Sequence, residues 1–109
     1  MRDTTELTTA VERFADRLRA APQSRLQRGA AAEGLALARE LADRAQRLEF
    51  PDREPRTMPD AGVFAVADQL AVAAADLAET LRTAPPGAPE GALDEAVRLV
   101  REAEARAGL

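Results

Sequence analysis

Apolar residues recur along the whole chain at helical spacing. Leu7, Val11, Phe14 and Leu18 lie four, three and four positions apart, a seam that predicts a helix over residues 5–20. Leu26, Ala30, Leu37, Leu41, Ala45 and Leu48 predict a second helix over 25–49. Within it Ala30, Gly34, Ala38 and Ala42 form a row of small residues, along which a neighbouring helix can approach to about 8 Å. Val63, Val66, Leu70, Ala73, Leu77 and Leu81 predict a third helix over 59–83, and Ala67, Ala71, Ala74 and Ala78 widen its apolar arc. Leu93, Ala96, Val97, Val100, Ala103 and Ala107 predict a fourth over 89–107. No stretch alternates with the two-residue period of a strand.

Proline and glycine separate these segments. Pro22, the stretch from Pro51 to Pro59 and the cluster from Pro85 to Pro89 are the breaks. Asp3 with Glu6, and Ser24 with Gln27, have the spacing of capping boxes. Thr57 is the candidate cap of the third helix, Pro89 suits the first position of the fourth, and Gly108 suits its end. Gly29 and Gly34 each lower helix propensity by about 1 kcal/mol relative to alanine; close helix packing is the expected reason for keeping them, and a functional kink is the alternative. The short first and third connections predict one domain over 1–109, an all-α, antiparallel up-down-up-down four-helix bundle. Leu18-Arg19-Ala20-Ala21-Pro22 matches Leu81-Arg82-Thr83-Ala84-Pro85, which suggests two pseudo-repeated helical hairpins.

The segment VADQLAVAAADLA, residues 66–78, is nearly all apolar yet carries Asp68 and Asp76. At 100° per residue, Asp68 and Glu79 fall opposite the core line and Asp76 falls about 100° from it. These acids are expected on the wet face, not in a buried site.

Composition narrows the chemistry. There is no cysteine and no histidine, so thiolate chemistry, the commonest metal ligand and the commonest neutral-pH base are all excluded. Asparagine, isoleucine, lysine, tyrosine and tryptophan are also missing, and all 15 cations are arginine. That bias fits a GC-rich bacterial genome and reflects codon usage. A net charge of −4 argues against nucleic acid as a partner, and no apolar run is long enough for a membrane span. The N-terminus has no signal-peptide core, so a cytoplasmic protein without cofactor is expected.

Two surfaces remain that a bundle does not need. One is the linker 50–59, where Phe50 and Met58 either plug the end of the bundle or anchor a partner. The other is the outer face of the third helix, where Phe64, Asp68, Val72 and Asp76 could meet another protein or a second copy of the chain. A non-enzymatic protein–protein interaction module (an adaptor, regulator or small assembly subunit) is the expected function. The alternative is a Mg²⁺-dependent enzyme or ligand-binding bundle using Glu40, Asp43, Asp76 and Glu79, two pairs at i, i+3 spacing. Their expected fate is solvated pairing with Arg39, Arg44 and Arg47. Glu33 and Arg44 lie at the edge of the second seam and are expected to form ion pairs with other helices.

Overall fold

The computed structural model describes residues 3–83 and 90–109, and every regular element in them is helical. Helix α1 spans Thr5–Ala20. Helix α2 is the single turn Gln23–Arg25, which continues through a π-helical turn, Leu26–Ala30, into α3, Ala31–Glu49. Helix α4 spans Val66–Thr83 and α5 spans Ala92–Ala107. The four long rods pack into a four-helix bundle whose core is the set of expected stripes: Leu7, Val11, Phe14 and Leu18 from α1, Leu37 and Leu41 from α3, Leu70, Leu77 and Leu81 from α4, and Val97 and Val100 from α5. Phe14, Leu7, Leu41 and Leu70 are wholly excluded from water, each stabilising the fold by about 1.5–3 kcal/mol of transfer free energy.

The helix ends depart from the sequence pattern. Ser24 caps nothing: the turn starts one residue earlier, with Pro22 in extended conformation accepting from the amides of Arg25 and Leu26. Asp3 does accept the Thr5 amide, at 2.9 Å, and the Thr5 side chain together with that amide holds its carboxyl below the usual range, but Glu6 reaches across to Arg101 instead of closing a box. Helix α4 begins at Val66, not near Pro59, so Thr57 is no cap. Prolines 51, 55 and 59 disfavour helix for themselves and for the residues before them. A turn closed by the Ala65 amide on Gly62 O then launches α4. Gly108 ends α5 in the left-handed region, as expected. The Pro85–Pro89 cluster, with the expected role of Pro89, lies outside the described residues.

The directions of the helices are set by which ends meet. A methyl group on Gly34, near the start of α3, would sit 2.7 Å from Val66 Cγ1 at the start of α4. At their far ends Ala45, Gln46 and Glu49 share a groove with Asp76, Glu79 and Thr83. These two helices therefore run parallel. Helix α4 is antiparallel to α1, because Arg19 pairs with Asp68 and Arg82 donates to Thr4 Oγ1. Helix α5 is antiparallel to α3, through Arg44–Glu95 and Arg106–Glu33, and parallel to α1, through Arg101–Glu6 and Arg17–Glu104. The bundle thus runs up-down-down-up rather than alternating. Extensive contact joins α4 and α5 each to α1 and α3, so α1 and α3 sit across one diagonal and α4 and α5 across the other.

The reason for this order is the connection 50–65, which travels back along the whole of α3. Helix α3 is about 28 Å long, and an extended segment of this length reaches about 50 Å, so the return is easily spanned. The segment is pinned on the way. Gln46 clamps Arg56 with two hydrogen bonds, its Nε2 donating to the carbonyl at 3.1 Å and its Oε1 accepting from the amide at 2.8 Å. Arg39 Nε donates to Met58 O at 2.8 Å, and Gln69 Nε2 to Pro59 O at 2.9 Å. Met58 is half-buried against the core alongside α3; it does not plug an open end.

The two glycines of the second rod have different jobs. Gly34 is the close-packing residue, facing Val66 and Leu18 Cδ1. Gly29 has open space around it and φ of +149°, a conformation that side-chain-bearing residues rarely adopt, and it makes the kink between the π-turn and α3. Gly34→Ala should destabilise the protein by about 1–3 kcal/mol of overpacking, partly offset by about 1 kcal/mol of helix propensity. Gly29→Ala should cost about 1–3 kcal/mol of backbone strain with no clash. Urea unfolding checks both, and Val66→Ala in the Gly34→Ala background should recover stability only for Gly34.

Candidate interaction surface

The outward face of α4 follows from its inward one. With Leu70, Ala73 and Leu77 buried, Asp68, Val72 and Asp76 are left in solvent, and Val72 is 59% exposed. Phe64, in the turn before α4, is 73% exposed. Beside it opens a cleft of about 160 Å³ lined by Leu18, Ala21, Leu26, Val63 and Ala67, with Arg19 on its rim. Arg19 bridges α1 to α4, donating to Asp68 at 2.8 Å and to Asp16 at 3.2 Å, and the Asp68 bond raises its already high pKa. Both partners of the Arg19–Asp68 pair are exposed, so salt screens the interaction.

The six expected contact residues do not form one surface. Phe64, Asp68, Val72 and Asp76 belong to the α4 side. Phe50 lies at the opposite end of α3, 44% exposed, with Arg53 stacked 4.9 Å from its ring centroid. Met58 faces inward between them.

The four carboxylates of the metal alternative are likewise divided. Glu40 accepts from Arg44 at 2.9 Å and Asp43 from Arg47 at 2.8 Å, along the exposed side of α3. Glu79 accepts from Arg82 at 2.7 Å; it and Asp76 line the open α3–α4 groove with Glu49, where α3 contributes Ala42, Ala45 and Gln46 but neither Glu40 nor Asp43. Among the described residues no group of three or more acids is placed to hold a metal. Arg39, expected to pair with these acids, is instead spent on the Met58 carbonyl. Glu33 and Arg44 do reach another helix, both pairing with α5.

One acid is buried that a reading of the apolar positions left out. Glu104 on α5 is 7% exposed and accepts from Arg13 at 3.3 Å and Arg17 at 3.0 Å, both on α1. The signal was its spacing: Glu104 follows Val97 and Val100 on the core line, and Arg13 and Arg17 are one turn apart. The trio floors a groove of about 510 Å³ between α1 and α5, with Glu6, Thr9 and Arg101 on its walls.

Removing both cations, Arg13→Ala with Arg17→Ala, should strand the Glu104 carboxylate and cost on the order of 1–3 kcal/mol, whereas Glu104→Leu should be neutral or stabilising, as measured by urea unfolding. Millimolar Mg²⁺ should leave the melting temperature unchanged, because Glu40, Asp43 and Glu79 are engaged by arginine and do not converge; a rise of several degrees would restore the metal reading.

No protein-family model, curated protein or solved structure matches the chain.

Proposed function

We propose that the chain is a non-enzymatic cytoplasmic protein–protein interaction module, an adaptor, regulator or small assembly subunit. The observation that carries this reading is the exposure of Phe64 and Val72 beside α4 while the core closes without them. Large apolar side chains held in water beside charged ones are what a contact surface requires: an anchor that gains by burial and a polar rim that sets orientation. Asp68 and Asp76 flank Val72 one helical turn away on either side and supply that rim. No helix among the described residues is long and apolar enough to cross a membrane.

The test is affinity capture from the native cytoplasm with wild-type and Val72→Arg baits. Placing a charge at the centre of the face should reduce specific capture at least tenfold, which corresponds to about 1.4 kcal/mol. The circular dichroism melt should be unchanged, since Val72 contributes little to the core. Equal capture of the same proteins by both baits would remove the α4 face from the reading.

A further inference from the structure

The interaction reading leaves the partner open, and the inference here rests on that reading and names it. We propose that the partner is a second copy of this chain, docked about a twofold axis with each Phe64 ring seated in the other copy's cleft beside Phe64.

The argument begins with the protruding group. Phe64 is the most exposed large apolar side chain among the described residues, and the turn that carries it is closed by hydrogen bonds on either side. The Ala65 amide donates to Gly62 O at 3.1 Å, the Gly62 amide to Asp60 Oδ1 at 2.8 Å, and the Gln69 amide to Ala65 O at 3.0 Å. An anchor presented on a fixed turn loses little freedom when it docks.

The receptor lies next to it. The cleft is bounded by the apolar side chains of Leu18, Ala21, Leu26, Val63 and Ala67, with Arg19 and other polar surface making up nearly half of its wall, and measures about 160 Å³. A dry apolar cavity of about 150 Å³ accommodates benzene, so this cleft has the size of a phenyl ring. Phe64 forms part of its wall and leaves it open in its own chain.

A projecting ring and a ring-sized cleft side by side on one patch meet the condition for an isologous contact, in which the same surface serves both copies. A different partner would need only one of the two features. The charges agree with this choice. Arg19 lines the cleft and pairs with Asp68 in its own chain, so a twofold rotation can place the two pairs side by side, where Arg19 of one copy can exchange onto Asp68 of the other. The contact centres on one ring and one cleft from each copy, so the association is concentration-dependent rather than obligate.

Sedimentation equilibrium from micromolar to millimolar protein tests the proposal. Wild type should rise from 11.6 kDa towards twice that mass. Phe64→Ala removes the knob and Ala21→Leu fills the cleft; each should weaken self-association at least tenfold, with circular dichroism melts reporting an intact fold. An equimolar mixture of the two variants keeps one knob and one cleft, and should associate more strongly than either variant alone. A wild type that stays at 11.6 kDa at millimolar concentration overturns the inference, as does undiminished dimerisation of Phe64→Ala. If wild type is monomeric but captures another protein in a Val72-dependent way, the second copy is excluded and the interaction reading stands. If wild type neither dimerises nor captures a Val72-dependent protein, both fall.

Discussion

The contact between the first turns of α3 and α4 governs the rest of the structure. Gly34 offers bare backbone where any side chain would collide with Val66, and that close approach places the start of α4 beside the start of α3. Once those two ends meet, the chain leaving Glu49 must return the full length of α3 before it can form helix again. The proline-rich connection suits that return, because its prolines resist helix and leave only isolated turns at its two ends. The side chains of Gln46, Arg39 and Gln69 then satisfy its backbone groups one after another. Direction, connectivity and the position of Phe64 all follow.

The two sequence-matched halves interlock rather than form separate hairpins, since α1 packs mainly on α4 and α5 rather than on α3. Under the sequence match, Arg19 of α1 corresponds to Arg82 of α4, and each reaches the first turn region of the other helix: Arg19 to Asp68, Arg82 to Thr4. Reciprocal contacts of this kind are what a pseudo-twofold between α1 and α4 demands. Helices α3 and α5 are likewise antiparallel and joined by two ion pairs. Such exposed pairs add little stability singly, but several of them at fixed heights define which turn of one helix meets which turn of the next. Glu104 extends this logic inward, since a carboxylate with two arginines of α1 at hand admits few alternative registers between α1 and α5.

The same geometry shapes the surface. The return of 50–65 carries Phe50 and Phe64 to opposite ends of α3 and turns Met58 inward, so an interface drawn across the linker in sequence becomes two separate places in space. Phe64 gains its neighbours from the turn after α1 and from Leu26, none of which is near it in the chain.

Periodicity and the breaks were enough to define the helices, their buried stripes and the outward placement of Asp68, Val72 and Asp76, because burial along a helix is a local property repeated every 3.6 residues. The boundary pairing of Glu33 and Arg44 was legible for the same reason. Direction was not, since a parallel and an antiparallel neighbour ask for the same stripe, and only the length of unwound chain after Pro59 distinguishes them. Nor were the burial of Glu104, the separation of Glu40 and Asp43 from Asp76 and Glu79, or the cleft beside Phe64. Each depends on which faces of distant helices come together, and that was decided by tertiary packing at a glycine whose significance lies in the side chain opposite it.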